Sequence, residues 1–312
     1  MQPYIACGLS IAIKHKKWYI SKKKYKGVKS MKKFISVILT IALCVGALSV
    51  CVFAADKTVY LVLGDSIAYG SGLANPTQAC YGRIVADTND YEYINYAVPG
   101  HTTTNLIGRL AEPEVVEAVK KADIISISIG GNDFLLGNLI ELIFNAMVLN
   151  DYSNFDAIAN GFYNNLDIII DTINANNEDA VILMQTLYNP QSGYLRDPYQ
   201  KAADRLNAEI ERYAKENPDE IVIVDVGTAL GDDLDNYAAD DIHPSAKGNE
   251  IIASETLAVL AVLGLGSDAP AVITTPGEDI DIPIFFTAFL DVYATVFHYL
   301  GLIYSLISGI LV

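Results

Sequence analysis

Ser66 and His243 are the residues best suited to nucleophilic chemistry, and each stands in a context that fits it. Ser66 closes Gly64-Asp65-Ser66, a turn sequence that stops the apolar run Leu61-Val62-Leu63. A serine hydroxyl is a poor nucleophile until a base takes its proton. Beyond residue 55 the histidines are His101, His243 and His298. His243 is the best base, because Asp240 precedes it by three residues in Asp240-Asp241-Ile242-His243-Pro244. That spacing lets a carboxylate fix the imidazole tautomer and stabilise the imidazolium. Asp241 is a rival for the same task. The chemistry indicated is acyl transfer through a serine, with no metal or cofactor. Neither a Gly-rich phosphate loop nor a Cys/His metal spacing occurs, and the Gly-x-Ser-x-Gly elbow is absent around Ser66.

Two more turn clusters follow Ser66 in a definite order. Asn95-Tyr96-Ala97-Val98-Pro99-Gly100 closes one candidate strand, and Gly130-Gly131-Asn132-Asp133 follows the apolar run 124–129. With Ser66, Gly100, Asn132 and the Asp240/His243 pair in this sequence, the chain resembles the GDSL, or SGNH, hydrolase family, named for Ser, Gly, Asn and His in four blocks. The resemblance covers residues 58–262. One departure is that Ile67 follows Ser66 where the family name has Leu; both are apolar anchors of similar size.

The resemblance implies a secreted serine esterase or lipase that cleaves carboxylic esters through an acyl-enzyme. Ser66 would be the nucleophile and His243 the base. Asp240, rather than Asp241, would be the orienting acid, since the family places that acid three residues before the His. The oxyanion hole would come from the backbone N–H groups of Ser66 and Gly100 and the Asn132 side chain. A small-molecule or lipid ester would be the substrate. The alternatives are a non-catalytic surface or carbohydrate-binding protein on the same fold, and a deacetylase of cell-surface glycans.

Such residues must be held by strands and helices. Candidate strands fall at 59–63, 92–96, 123–129, 180–186 and 221–225. Between them lie helical patterns, including 103–121, 155–175 and 199–216. Strands 123–129 and 180–186 are mainly apolar, as strands covered on both faces should be. Alternating strands and helices define an α/β class with a parallel sheet. The resemblance makes this a three-layer α/β/α sandwich with a flavodoxin-like, five-stranded sheet. The apolar excursion 134–165 predicts one or more helices near the site, as core, lid or acyl-pocket wall.

Charge is unevenly spread along the 312 residues. Ten of the 21 Lys and Arg lie in residues 1–55, which hold no Asp or Glu. The remainder carries 11 basic against 37 acidic residues, a net charge of −26. So acidic a surface repels nucleic acid. The basic segment reads as targeting: Met31-Lys32-Lys33, an apolar run over 34–53, then Ala54-Ala55. Charged start, apolar middle and small-residue cleavage site make a secretory signal peptide, with Val52 and Ala54 at −3 and −1. Met31 is then the expected true start. Only Cys80 lies beyond that segment, so no internal disulfide is expected.

Four segments result: extension and signal peptide over 1–55, the hydrolase domain over 56–263, a Gly/Pro/Thr-rich linker over 264–281, and an apolar tail over 282–312. Asp291 and His298 are the tail's only ionisable groups of the acidic, basic or imidazole type. Three readings of the tail stand: a membrane-embedded or interfacial helix, a helix folded back on the domain, or a self-association or partner-binding segment. His298 is expected to have no catalytic role.

Overall fold

The structure, a computed structural model, describes residues 57–267, 269–280 and 285–310. The expected signal segment, its cleavage site, the start at Met31 and Cys7, Cys44 and Cys51 lie outside the described residues.

Five strands form one sheet: β1 (Val59–Gly64), β2 (Glu92–Asn95), β3 (Ile124–Ser128), β4 (Val181–Gln185) and β5 (Val222–Val224). All neighbours are parallel and the order is β2-β1-β3-β4-β5. This is the flavodoxin-like order expected, and it places β1 and β3, which carry the Ser66 and Asn132 turns, side by side. Every residue of β3 is buried. Leu61, Leu63, Ile125, Ile127, Ile182 and Met184 face one core, and Tyr60, Val62, Leu183 and Val224 the other. Alternation of side chains across the sheet builds two apolar layers from one set of strands. Each fully buried Leu or Ile contributes about 2 kcal/mol.

The helices fall into two layers. Helices α1 (Ser66–Tyr69) and α2 (Tyr81–Asn89) follow β1. Helices α3 (Thr103–Arg109) and α4 (Pro113–Lys121) lie between β2 and β3. The single helix predicted over 103–121 is thus two, because Pro113 has no N–H for an interior turn and serves instead as the first residue of α4. After β3 come α5 (Gly131–Leu135), α6 (Leu139–Phe144), a π-helical turn (Asn145–Leu149) and the long α7 (Ser153–Asn176). Helix α8 (Arg196–Glu216) joins β4 to β5, and α9 (Ala246–Val262) follows β5. Helices α3, α4, α7 and α8 cover one face of the sheet; α2 and α9 cover the other.

The segment expected as a linker is strapped to the domain. Asn75, Thr88 and Asn89 hold the backbone N–H groups of Glu278, Val272 and Ser267. Ala74 N–H donates to the Glu278 carbonyl at 2.7 Å, and Ile280 N–H to that of Gly72 at 3.0 Å. A composition rich in Gly, Pro and Thr tells of missing helix and strand, and not of missing contacts.

The apolar tail forms α10 (Phe285–Ile310). One stripe of it, Leu290, Ala294 and Phe297, packs with Ile143, Val148 and Leu195. Gly301 extends the stripe: a Cβ there would strike the Met147 carbonyl oxygen. The other face is exposed and apolar, including Val292, Val296, Leu302, Ile303 and Leu306.

Candidate active site

The end of β1 shows why a glycine precedes Asp65 and Ser66. Gly64 has φ of +128°, and a Cβ there would collide with the Ser128 carbonyl oxygen at the end of β3. Only a glycine combines that backbone with so close an approach. The Asp65 N–H donates to the same oxygen at 3.0 Å, so the two strand ends are pinned where the chain turns. Asp65 caps α1, its Oδ1 accepting the Ile67 N–H at 2.9 Å, and Ser66 is the first residue of that helix. Burial pushes the Asp65 carboxyl up to about 7.

His243 arrives on a braced loop. Tyr237 bridges to Pro244, and the Ala238 N–H donates to the His243 carbonyl at 2.8 Å. From the β4–α8 connection, Tyr188 Oη donates to the Ile242 carbonyl at 2.8 Å and Gln191 Nε2 to that of Asp241 at 2.5 Å. On the serine side, Gly72 has φ of +100°, and a Cβ there would sit 2.6 Å from the Pro244 carbonyl oxygen and 2.9 Å from the His243 Cβ. Gly72 therefore lets the loop after α1 close on the histidine loop. Chain spacing alone gave no sign of this contact.

The two loops bring three of the predicted residues into one hydrogen-bonded chain. His243 Nε2 lies 2.9 Å from Ser66 Oγ, and His243 Nδ1 lies 2.6 Å from Asp240 Oδ2. Asp240 Oδ1 accepts the N–H groups of Ile242 at 3.0 Å and His243 at 2.9 Å. Burial alone would raise the Asp240 carboxyl. The His243 ring and the two N–H groups outweigh that and hold it below the usual carboxylate range. Asp241 is placed differently: it sits at φ +53°, and burial followed by the nearby Asp240 charge raises its carboxyl.

Asn132 stands in the first turn of α5, just past β3. Its Nδ2 donates to the His101 carbonyl at 2.9 Å, so one amide N–H orients the side chain and the second remains for another acceptor. Gly100, beside His101, has φ of +83°, and no atom comes within 4 Å of where its Cβ would stand. The Val98 N–H ties this turn to the Gly64 carbonyl at 3.0 Å. Asp133 locks the arrangement from behind, accepting the Thr103 N–H at 3.1 Å and Oγ1–H at 2.5 Å. Sequence reasoning missed that clamp, because Asp133 and Thr103 are thirty residues apart with nothing to pair them. The ring nitrogens of His101 are not in the chain: Nδ1 is buried, and burial followed by the Arg109 charge lowers its pKa. His298 lies on α10, its ring stacked 4.2 Å from that of Tyr194.

A pocket opens beside Ser66 and Asn132. Its walls are mostly apolar, with Ile129, Phe134, Leu139, Leu142, Phe155 and Leu206 among them. Helices α5 and α6, from the excursion after Asn132, supply Phe134, Leu139 and Leu142. The stripe of α10 packs against the back of the same excursion, through Ile143. Gly100 is not among the lining residues, whereas Ser66 and Asn132 are. Among the described residues no cluster of three or more His, Cys, Asp or Glu could hold a metal ion.

Residues 62–251 match the model of the GDSL-like lipase/acylhydrolase family, and the chain belongs to that family, an ester-hydrolysing class of SGNH hydrolase. It is 27% identical over 210 residues to the spore germination lipase LipC of Bacillus licheniformis, spanning 63% of this chain and 93% of that one. It is 25% identical over 221 residues to the uncharacterized protein YpmR of Bacillus subtilis, spanning 67% and 84%. Among solved structures, the lipase Lip_vut3 from a goat rumen metagenome shares the fold. Its TM-score is 0.56 at 24% identity, over 68% of this chain and all of that one. The extracellular lipase of Streptomyces rimosus gives a TM-score of 0.50 at 19% identity, over 67% and 100%.

Proposed function

We propose that this protein is an exported serine esterase or lipase that cleaves apolar carboxylic esters at a lipid surface. The observation that carries the reading is the hydrogen-bonded chain Ser66–His243–Asp240. In this mechanism Ser66 Oγ attacks the ester carbonyl as His243 Nε2 takes its proton. Asp240, charged at neutral pH, stabilises the imidazolium. The oxyanion is received by the N–H groups of Ser66 and Gly100 and the free N–H of Asn132 Nδ2, donors of the type that lower the barrier most. His243 returns its proton to the leaving alcohol, and Ser66 holds the acyl group. Water, deprotonated by His243, then attacks the acyl carbonyl; the bond to Ser66 Oγ breaks, His243 returns the proton to that oxygen, and the acid leaves.

The pocket's aromatic and aliphatic walls support an acyl chain longer than acetyl, and so an apolar ester over an acetylated glycan. The exposed apolar face of α10 supports work at lipid: Ala288–Ser308 is long and apolar enough to cross a membrane, yet one stripe is docked on the domain. A lipid surface would cover the remaining face. Export is supported by the basic-apolar-small pattern before residue 56.

The test is a set of nitrophenyl esters of graded chain length together with a fluorophosphonate probe. The wild type should turn over the longer chains faster than acetyl and be labelled at Ser66, and Ser66→Ala should do neither. Labelling elsewhere, or undiminished hydrolysis by Ser66→Ala, refutes the assignment. Turnover confined to acetylated glycans would replace the apolar ester.

A further inference from the structure

Helix α10 carries two stripes of the same period. Leu290, Ala294, Phe297 and Gly301 follow one another at four, three and four residues and form the stripe docked on the domain. Val292, Val296, Tyr299, Ile303 and Leu306 repeat that spacing two residues further on, and all five are exposed. Two residues turn a helix by about 200°, so the second stripe lies opposite the first. On one flank between the stripes stand Asp291, Thr295 and His298, again four and three residues apart. The helix is thus layered, with the domain on one side, an apolar face on the other and polar groups between.

Charge decides what can cover the outer stripe. No Lys or Arg occurs in α10, nor in 139–149 and 193–195, the segments it packs against. Glu141 and Asp291 are exposed acids on these elements. Residues 56–312 together carry a net charge of −26. A second copy seated on the stripe would bring two such charges together, and an anionic membrane would repel them. Interfacial helices that hold anionic lipid set Lys and Arg beside the apolar face, and α10 has none. An apolar phase without negative charge covers the stripe free of that repulsion. Orientation follows from the docked side. Ile143 and Tyr199 pack with the docked stripe and also line the pocket beside Ser66. The outer stripe therefore lies about one helix diameter, roughly 10 Å, beyond that wall.

We propose that α10 lies flat in the surface of a lipid phase that carries no net negative charge, and so holds the pocket side of the domain against lipid. Val292, Val296, Tyr299, Ile303 and Leu306 enter the boundary between head groups and acyl chains, and Asp291, Thr295 and His298 stay at the level of water. The docked stripe keeps the helix from turning to span, although Ala288–Ser308 is long enough to do so. The proposal rests on the lipid-surface part of the reading above and not on the ester chemistry.

The experiment uses the exported form from Ala55 onward, which holds all five strands and helices α1 to α10 and contains no Trp. Val292→Trp and Leu306→Trp are each bound to phosphatidylcholine vesicles with bromines at graded depth along the acyl chains. Both tryptophans should be quenched most by the shallow bromines, and to a similar extent. Deep quenching at 306 with little at 292 means an end-on or spanning helix and overturns the proposal. A second arm compares phosphatidylcholine with a mixture containing phosphatidylglycerol. At a surface potential of about −30 mV each acidic charge held there lowers partition about threefold. Glu141 and Asp291 together should favour phosphatidylcholine by about tenfold at low salt, and ~1 M salt should remove the difference. The double variant Glu141→Gln, Asp291→Asn should lose most of it. Equal or stronger binding to the anionic vesicles at low salt, or a preference unchanged in the double variant, overturns the lipid class. A dimer that buries the stripe and leaves vesicles unbound assigns the face to a second copy and overturns the proposal. Ester turnover without binding to any vesicle does the same and spares the esterase. Absence of turnover with both lipid results intact counts against the esterase reading alone.

Discussion

Asp65 makes the stability of this protein depend on pH in a way that can be isolated. Its carboxyl is buried beneath the Ser66 turn and is pushed from the usual 3.8 up to about 7. A carboxyl whose folded-state pKa is raised keeps its proton longer in the folded protein. Between about pH 4 and pH 7 the folded state therefore binds more protons than the unfolded one, and stability falls as pH rises through that window. Below it both states are protonated; above it both are ionised and the full cost is present. Across the interval, at about 1.4 kcal/mol per pH unit, that cost is about 4 kcal/mol. Asp240 does not confuse the reading. Its carboxyl lies below the usual value, so its contribution is lost only as pH falls below about 4. Burial raises the Asp133 carboxyl too, and its charge adds to the rise at Asp65, but Asp133 remains in both proteins, so its own titration is common to the two curves. In Asp65→Asn the side-chain oxygen can still accept the Ile67 N–H, and the titration is gone. Urea unfolding of both proteins from about pH 4.5 to about pH 8.5 should show the variant gaining on the wild type by about 3 to 4 kcal/mol across the series. Two curves that run parallel would refute the reasoning, whatever their offset.

Three further outcomes are expected. Asn132→Ala should lower kcat by ~100- to 1,000-fold with little change in KM, because its free N–H acts on the transition state; a raised KM at unchanged kcat would refute the oxyanion role. Asp240→Asn should reduce kcat/KM far more than Asp241→Asn, since the His243 ring pairs with Asp240; the reverse ranking would move the acid by one residue. Replacing Leu302, Ile303 and Leu306 of α10 by Gln should weaken sedimentation with liposomes while sparing hydrolysis of a short soluble ester, and unchanged sedimentation would refute the lipid surface.

Much of the fold was legible because its signals are local. The strands at 59–63, 92–96, 123–129, 180–186 and 221–225 each match an observed strand to within a residue or two at either end. Apolar runs of that length, ended by Gly or Asn turns, have few other solutions when helical patterns separate them. The break at Pro113 was also a local signal, but the apolar spacing on both sides of it read as one helix. The strap over 264–280 and the docking of α10 were not legible. Both depend on partners far away in the chain: Asn75, Thr88 and Asn89 for the strap, and Ile143, Val148 and Leu195 for the helix. A helix apolar on every side carries no mark of which side packs. Gly301, whose bare α-carbon lets the helix rest on the Met147 carbonyl, was the nearest thing to one.

The candidate site divides along the same line. Ser66, Gly100, Asn132, Asp240 and His243 could be chosen because short motifs place each at a strand end or in a late loop. What holds them could not be chosen, since Gly72 against Pro244 and Thr103 on Asp133 join segments that share no motif. Asn132 shows both halves in one residue. Its place after an apolar run could be read from the chain, whereas the His101 carbonyl that takes one of its amide N–H groups, and so turns the other outward, lies thirty-one residues earlier in a turn with no matching motif.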